Sequence, residues 1–395
     1  MKIIDVKVAI VRGNFCWPLI RIDTDERVCG YGESRDYSPL PHDAIPMKEL
    51  ILYLKKRLIG EDPTNVESLF TKIRGYGSDG RFGGSVSGIE MALWDILGKA
   101  LGVPIYRLIG GKFRDKVRIY CDCHAGRAIG DATTDYAYEG SEEFYTPEVY
   151  AKAAKKIKAM RFTILKFDLH PQYAGKDALI GNSLTNKAIK YEVSVVQALR
   201  EAVGNDFPLA LDAYQGGTVN GAIRFGKAVD PYGLAWIEDV LDWRDTKGFK
   251  YVTAAVKTPT LTGENIYTTE HFRQLIERRA VDIVAPDMAT HGGIMENKKV
   301  AWLAELYGLS IAPHFAGSPV SMMANIHAAA AMPNNLIAVE FHAIAVPWWE
   351  DLVKGINKPI IKDGYIDVPE RPGLGIDLDE KTVRKHLAEG ETYFE

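Results

Sequence analysis

Three carboxylates stand at equal intervals in the middle of the chain, each at the end of a short apolar run. Asp212 ends the run PLALD, Glu238 ends LAWIE and Glu264 ends TLTGE, with 26 positions from each carboxylate to the next. An interval of this length holds one strand and one helix. If the runs are neighbouring parallel strands, their carboxyl ends lie on one face and the three side chains converge. Such a set suits a hard divalent cation, and Mg²⁺ fits best because it takes oxygen ligands and keeps positions for water or substrate.

Strand-like runs at similar spacing continue in both directions along the chain. Downstream, VDIVAPD, LSIAPH and IAVEFH follow at similar intervals, and upstream lie VRIYCDC (117–123) and FTILKFD. Eight strand-like runs with helix-like segments between them predict a parallel (β/α) barrel, whose active site lies at the carboxyl ends of the strands. The further polar residues that fall at those ends are Lys166, Asp168, Asp287, His314, Glu340 and His342.

Composition excludes several classes of protein. The 395 residues are 47% hydrophobic and 25% charged, as in soluble globular proteins. A net charge of −4 provides no basic surface, so neither a nucleic acid nor a membrane is expected as partner. The N-terminal run MKIIDVKVAIVRG contains Asp5 and lacks a secretory apolar region, and no run reaches the roughly 20 apolar residues of a membrane span. We therefore expect a cytoplasmic protein.

The four cysteines do not form a disulfide framework in a chain of this length. Cys121 and Cys123 point to the same face of the first barrel strand, and with His124 they are one alternative for a soft-metal site. Small buried thiols in a reducing compartment are the favoured interpretation.

The segment before the barrel is predicted to be a separate α+β unit. Residues 1–33 have the alternation of a three-stranded meander, and its connection 12–17 suggests a flexible flap with exposed Phe15 and Trp17. A plain hairpin loop with one core aromatic is the alternative. Helical periodicity follows at 43–59 and from Asp62 to Ile73. The glycine-rich stretch 75–84 lacks the strand and lysine of a phosphate cradle, so we interpret it as a mobile loop leading into a helix.

The remaining connections and the C-terminal tail complete the predicted architecture. The βα loops 124–146 and 169–186 are long, and His170 in the second is expected at the surface. The tail is turn-rich and too irregular to extend the barrel, so we expect it to fold back onto the N-terminal unit. The predicted barrel helices are 187–203, 219–230, 244–256, 268–279, 292–307 and 318–331.

Four separated motifs resemble the mandelate racemase/muconate lactonizing enzyme family of the enolase superfamily. They are YGE (31–33), GIEMALWDILGKALGVPIYRLIGG (88–111), the spaced carboxylates and PGLGIDL (372–378). The resemblance implies a modified (β/α)₇β barrel over 117–360, capped by residues 1–116 together with the tail 361–395. It also implies a Mg²⁺ ion held by Asp212, Glu238 and Glu264, and a homo-oligomer between dimer and octamer.

Within that family the strand ends resemble the mandelate racemase-like branch. Asp287 and His314 match its Asp-His dyad, and Glu340 matches its hydrogen-bonding acid on the eighth strand. Lys166-Phe167-Asp168 matches a motif that in racemases is Lys-x-Lys, so Asp168 replaces the second lysine. This difference favours the sugar-acid dehydratases. Two further positions depart from the family pattern: Tyr214 stands where Asn or His is usual, and Val240 where Pro is usual.

These residues suit abstraction of a proton next to a carboxylate. A divalent cation and the Lys166 ammonium would stabilise the charge that develops on the substrate, and His314, oriented by Asp287, would be the base. A β-hydroxyl would then leave as water, with His314, Tyr214 or Glu340 as the source of its proton. The distal end of the substrate is expected to meet Phe15, Trp17, Arg81, Phe82 and His342.

The expected function is therefore dehydration of a sugar acid, of the aldonate type, to a 2-keto-3-deoxy acid. One alternative is a racemase or epimerase that uses Lys166 as a second base. A non-catalytic sugar-acid sensor is a third possibility, and its mark would be a broken ligand set or dyad. Both sets are intact in this chain.

Overall fold

An antiparallel sheet of three strands begins the chain. The computed structural model describes residues 1–35, 41–77, 83–123, 145–213, 217–342 and 346–395, with the backbone alone at 41–43. Strands β1 (Ile3–Arg12), β2 (Cys16–Thr24) and β3 (Cys29–Glu33) pair in sequence order, as the alternating pattern predicts. The helices that follow are α1 (Pro41–Leu58), α2 (Val66–Ile73), α3 (Gly83–Leu101) and α4 (Ile105–Leu108), with a 3₁₀ turn at Arg74–Gly77.

Helix α3 packs directly onto strand β3, and glycines make this close approach possible. A Cβ atom on Gly32 would overlap the carbonyl oxygen of Gly88, and one on Gly30 would overlap that of Ala92. Fifteen of the nineteen residues of α3 are buried, so the helix forms the centre of the N-terminal unit. It begins at Gly83, inside the stretch 75–84 that the sequence suggested as a loop.

Eight parallel strands form the barrel, and the predicted βα rhythm is confirmed. They are β4 (Lys116–Cys123), β5 (Leu165–Asp168), β8 (Leu209–Asp212), β9 (Ile237–Glu238), β10 (Thr260–Thr262), β11 (Ile283–Val284), β12 (Ser310–Ile311) and β13 (Val339–His342). Their order in the sheet is β12-β11-β10-β9-β8-β5-β4-β13. A short hairpin of β6 (Leu179–Ile180) and β7 (Ser183–Leu184) lies in the loop after β5.

The helices between the strands lie where their periodicity predicted them, with ends that differ by a few residues, except for the short helix at Met288–His291, which was not predicted. They are α5 (Pro147–Ala159), α6 (Asn186–Val203), α7 (Val219–Val229), α8 (Thr246–Ala255), α9 (Thr268–Glu277), α10 (Met288–His291), α11 (Ile294–Leu306) and α12 (Pro319–Ala330).

The barrel closes between its seventh and eighth strands. Ile311 of β12 forms a parallel bridge with Leu336, and the amide of Glu340 donates to the carbonyl oxygen of Pro313 at 3.0 Å. The interior is filled by a separate apolar cluster, in which Tyr120 and Trp236 meet edge to face with ring centroids 5.3 Å apart. The packed interior leaves the carboxyl ends of the strands as the open face.

The C-terminal tail contacts both parts of the molecule. After β14 (Val353–Lys354), strand β15 (Tyr365–Asp367) pairs antiparallel with the start of β4, so the prediction that the tail adds no strand to the barrel was wrong. Strand β13 pairs with β4 only from Ile119 onward. The first residues of β4 therefore remain available, and the three residues of β15 pair with them. Beyond lie β16 (Asp377–Leu378) and α13 (Glu380–Lys385).

The rest of the tail lies against the N-terminal unit. Leu387 forms a bridge with Val11, and the amide of Leu374 donates to Oδ1 of Asp95 at 2.8 Å. These contacts support the proposed division into a capping domain of 1–116 with 361–395 and a barrel of 117–360.

Two buried glutamates of the N-terminal unit accept hydrogen bonds from the N-termini of barrel helices. Glu33 accepts from the amides of Ser318 and Ser321 at the start of α12, at 2.8 and 3.1 Å. Glu90 accepts from the amides of Ile294 (2.8 Å) and Met295 (3.0 Å) at the start of α11. Because free helix N-termini carry unpaired N–H groups and a partial positive charge, these carboxyl groups join the two domains.

We expect Glu90→Ala to destabilise the protein by about 2–4 kcal/mol, because the change leaves buried donors without an acceptor. The indole N–H of Trp94 loses the same partner, at 2.7 Å. Urea unfolding followed by circular dichroism measures the effect. Glu49→Ala, at an exposed position on α1, is the matched control and should change stability by less than about 0.5 kcal/mol. Equal stability of the two variants would contradict the role of Glu90.

Candidate active site

The functional side chains form one layer above the apolar interior of the barrel. Successive residues of a strand point to opposite faces, so a residue two positions beyond an interior apolar residue points into the mouth. Asp122 thus follows Tyr120, and Asp212 follows Ala210. Strand pairing sets Asp168 beside Asp212 and Asp212 beside Glu238. The register therefore brings these carboxylates together.

The three equally spaced carboxylates do converge. Asp212, Glu238 and Glu264 each offer an oxygen, and these atoms all lie within 4.8 Å of one another. Oε1 of Glu238 is buried and lacks a hydrogen-bond partner among the described residues. Burial, with the charge of neighbouring carboxylates, raises the pKa of Asp212 and of Glu238, although Lys166 opposes the shift. A buried carboxylate oxygen that accepts no hydrogen bond and lies close to other carboxylates is suited to bind a divalent cation.

Lys166 lies next to these three carboxylates and provides a positive counter-charge. Its Nζ atom is 3.0 Å from Oε1 of Glu340, 3.1 Å from Oε2 of Glu238 and 3.5 Å from Oδ2 of Asp212. Burial alone would lower the pKa of Lys166, but Glu238 and Glu340 outweigh it and the pKa is raised well above its usual value. The ammonium group is therefore held in its charged form.

His314 and Asp287 form the predicted dyad. Nδ1 of His314 lies 2.7 Å from Oδ2 of Asp287, whose other oxygen accepts from the amide of Ala289 at 2.7 Å. Nε2 of His314 points to the three converging carboxylates, Asp212, Glu238 and Glu264, which we call the metal set. It lies 3.1 Å from Oε2 of Glu264. Burial opposes protonation, but Glu264, Glu340 and Asp287 raise the pKa of His314 to about 9. The contact of Nδ1 with Asp287 thus fixes the orientation of the ring, and Nε2 faces the barrel mouth.

Glu340 accepts hydrogen bonds on one oxygen and lies next to an ammonium group with the other. Oε2 accepts from the hydroxyl of Tyr120 at 2.9 Å and from the amide of Phe315 at 3.2 Å, and Oε1 faces Lys166. Burial raises the pKa of Glu340 above its usual value, although the charges of Lys166 and His314 oppose the shift. This carboxyl group therefore lies between the lysine and the dyad.

Arg35 of the capping domain reaches the dyad, and the sequence analysis missed it. Its Nη1 atom lies 3.0 Å from Oδ2 of Asp287 and 3.2 Å from Nδ1 of His314, and its guanidinium lies over the ring of Phe15, 4.7 Å from the centroid. The residue is 3% exposed. Arg35 lies only two positions beyond the YGE motif, yet 252 positions separate it from Asp287, so no local pattern indicates the contact.

We expect Arg35→Met to lower kcat/KM by about 10- to 100-fold, because a hydrogen bond to a charged group contributes about 1.5–3 kcal/mol. The loss should fall mainly on kcat, since Arg35 contacts the dyad and not the metal set. Steady-state kinetics measures it, with Arg273→Met on the exposed side of α9 as control. A change confined to KM would contradict a role at the dyad.

Asp239 is a second residue that the sequence analysis missed. It follows Glu238 directly, has a positive φ of 45° and accepts a hydrogen bond from the hydroxyl of Thr262. Burial and the charge of Glu264 raise its pKa to about 7. Its position next to Glu238, a predicted metal ligand, was the signal in the sequence that could have identified it.

The structure corrects the prediction of an exposed flap at 12–17. Phe15 and Trp17 are buried, and Trp17 lies within β2. Phe15 does border the mouth, where its ring meets that of His342 edge to face at 5.7 Å. Trp17 packs against Trp348, also at 5.7 Å, and so belongs to the core. The sheet pairing that starts at Cys16 removes the freedom that a flap would need.

Other predicted positions have mixed outcomes. His170 is buried against Tyr145, with ring centroids 4.6 Å apart, so its predicted surface location was wrong. Asp168 is buried beside Asp212. Cys123 donates through Sγ to the carbonyl oxygen of Cys121 at 3.3 Å, as a buried thiol. The positions of Arg81, Phe82, His124 and Tyr214 lie outside the described residues.

An eight-stranded parallel barrel with acidic residues and a His-Asp pair at its mouth is the architecture of the enolase superfamily. Residues 148–382 match the enolase C-terminal domain-like family model. Residues 11–110 match the model of the mandelate racemase/muconate lactonizing enzyme N-terminal domain. The chain belongs to the mandelate racemase/muconate lactonizing enzyme family of the enolase superfamily.

Relatives of known name cover most or all of the chain. The D-xylonate dehydratase of Haloferax volcanii is 36% identical, over 100% of this chain and 91% of its own length. The D-gluconate dehydratase of Thermoproteus tenax is 26% identical, over 94% of this chain and 70% of its own. These matches place the chain among the lyases of the family.

A solved structure agrees in fold over the whole chain. The mandelate racemase/muconate lactonizing enzyme-like protein of Rubrobacter xylanophilus superposes with a TM-score of 0.91 at 36% identity, covering 100% of this chain and 99% of that one. Across the described ranges, no helix is long and apolar enough to cross a membrane.

Proposed function

We propose that this protein is a Mg²⁺-dependent sugar-acid dehydratase that converts an aldonate to its 2-keto-3-deoxy acid. The observation that carries the proposal is the dyad: His314 has one ring nitrogen on Asp287 and the other 3.1 Å from a carboxylate of the metal set. A base in that position faces the α-carbon of a substrate whose carboxylate is bound at the set. The named relatives that are dehydratases support the same reaction class.

Asp212, Glu238 and Glu264 are the residues that would hold the cation. When bound there, a divalent cation supplies Lewis-acid stabilisation of the charge that develops on the substrate carboxylate. Lys166 lies within the same layer and adds a fixed positive charge next to it. The chain's own residues thus bind the carboxylate end of the substrate and lower the cost of removing its α-proton.

The proton moves to Nε2 of His314. Asp287 holds Nδ1 and stabilises the imidazolium that forms, and Arg35 keeps Asp287 in place. The electron pair left on the α-carbon then expels the hydroxyl group of the β-carbon as water. Phe15 and the buried capping-domain residues around it exclude solvent on this side of the mouth.

A racemase or epimerase remains the second candidate, because Lys166 lies at the same mouth, 3.1 Å from Glu238, and would be its second base. Solvent deuterium separates the two reactions. A racemase returns labelled substrate in both configurations, whereas a dehydratase consumes its substrate.

The test is a screen of aldonates and aldarates with purified protein and Mg²⁺, assayed for 2-keto acids. D-Xylonate, D-gluconate and D-galactonate are the first to include, because relatives carry these names. We expect turnover that a chelator abolishes and Mg²⁺ restores. Failure to turn over any sugar acid would contradict the proposal. The homo-oligomer between dimer and octamer stays a prediction that light scattering tests.

A further inference from the structure

A second pair of buried histidine and aspartate lies at the barrel mouth, separate from the dyad. Nε2 of His342 is 3.2 Å from Oδ2 of Asp122, and the side chains are 6% and 4% exposed. The two residues end neighbouring strands, β13 and β4, and are directly paired in register. Abstraction of the α-proton by His314 gives neither residue of this pair a role, although Asp122 is paired with Lys166 in register and its charge helps to raise the pKa of that lysine.

The position of His342 along its strand sets its height above the other groups. It lies two residues beyond Glu340 on β13, so both side chains point into the barrel and the backbone of His342 is about 6–7 Å further along the tilted strand, on the side of the opening. Glu340 itself spans Lys166, at 3.0 Å, and His314, at 3.8 Å. A substrate with its carboxylate in that lower layer extends its β-carbon towards the opening, where His342 stands.

Dehydration needs a proton for the departing hydroxyl group, and Glu340 is poorly suited to give it. Oε2 accepts hydrogen bonds from Tyr120 and Phe315, and Oε1 lies 3.0 Å from the Lys166 ammonium, so each oxygen faces a donor group and neither is directed at the substrate as a proton donor. His314 already takes the α-proton. An imidazole next to a carboxylate is a side chain that can hold and release a proton near neutral pH.

We propose that His342, held by Asp122, is the general acid that protonates the leaving β-hydroxyl group; this inference rests on the proposed dehydration. His314 takes the α-proton, the C–H electron pair forms the C=C bond, and the bond from the β-carbon to its oxygen breaks. The oxygen leaves as water with the proton from His342. The enol product then transfers its O–H proton to His342 and takes a proton from His314 on the β-carbon, which restores both residues and yields the keto acid.

Asp122 is a positioning residue in this scheme. It sets the orientation of the ring through Nε2 and stabilises the imidazolium form. Phe15 packs edge to face on the same ring at 5.7 Å and limits its rotation. His342 is therefore positioned jointly by the capping domain, through Phe15, and by the first barrel strand, through Asp122.

The test compares His342→Gln with wild type on two compounds. One is a sugar acid with its β-hydroxyl group, and the other is the same sugar acid with fluorine in place of that hydroxyl group. Fluoride leaves without a proton, so loss of the acid should hardly matter for it. We expect the variant to lose dehydration by about 10²–10⁴-fold. It should eliminate fluoride within about 10-fold of wild type and keep exchange of the α-proton with solvent deuterium. His386→Gln, on the tail against Trp348, is the matched control.

Several results would overturn the inference. Dehydration by His342→Gln within about 10-fold of wild type would do so, and so would equal loss of water elimination, fluoride elimination and α-proton exchange in a folded variant. If the glutamine variant does not fold, His342→Asn and Asp122→Asn carry the same comparison. Failure of the proposed function is distinct, because wild type itself would then dehydrate no sugar acid.

Discussion

His314→Asn is expected to abolish both dehydration and exchange of the α-proton with solvent deuterium, while cation binding persists. Asparagine keeps a hydrogen-bonding group near Asp287 but has no nitrogen that can accept the proton at the Nε2 position, 3.1 Å from Glu264. General-base catalysis by a positioned side chain contributes about 10²–10⁴-fold, so kcat should fall by at least this range. Exchange in deuterium oxide, followed by NMR on a turned-over aldonate, measures the first step separately from elimination.

The control for this variant is His386→Asn, which changes a histidine of the tail that stacks on Trp348 at 3.8 Å. It should keep full exchange and turnover. Calorimetry with Mg²⁺ shows whether His314→Asn keeps its metal site. If His314→Asn exchanged the α-proton at near the wild-type rate, the base would lie on the opposite face. Lys166 or Asp168 would then abstract the proton, and the dehydratase assignment built on the dyad would have to be withdrawn.

Glu238→Gln is expected to eliminate activity and to weaken Mg²⁺ binding by at least about 100-fold. Mutation of a residue that only supports a metal ligand costs about 10- to 100-fold in affinity, and removal of a direct ligand should cost more. Glutamine preserves size and can still accept from the indole of Trp236, at 3.2 Å, so the fold should persist. Isothermal titration of the purified variant with Mg²⁺ measures the affinity without relying on activity.

The same variant carries a stability prediction of opposite sign. Burial and the charges of Asp212 and Glu340 disfavour the ionised form of Glu238 more than Lys166, 3.1 Å away, favours it, so this charge destabilises the folded protein when no metal is bound. Removing one charge should raise the melting temperature of the metal-free protein, while the rise that Mg²⁺ causes in wild type should disappear. Glu305→Gln, exposed on α11, should behave as wild type in both measurements. Unchanged Mg²⁺ affinity in Glu238→Gln would remove that residue from the site.

The barrel and the metal set were predictable from the sequence because both follow from local, repeated properties. A strand, a helix and two turns occupy a near-constant length, so Asp212, Glu238 and Glu264 recur every 26 positions and must end neighbouring strands. The dyad of Asp287 and His314 was predictable for the same reason, because these residues end the next two strand-like runs. Family motifs added roles for Lys166 and Glu340 that spacing alone does not supply.

Only the tertiary structure decided which residues approach this set from elsewhere in the chain. Arg35 reaches Asp287 across 252 positions because the capping domain docks on the mouth, with Glu33 and Glu90 on the N-termini of barrel helices. His342 meets Asp122 because the eighth strand closes the barrel against the first. Such contacts depend on docking and closure, which involve residues far apart in sequence. No periodicity records them, because periodicity is a property of neighbours along the chain.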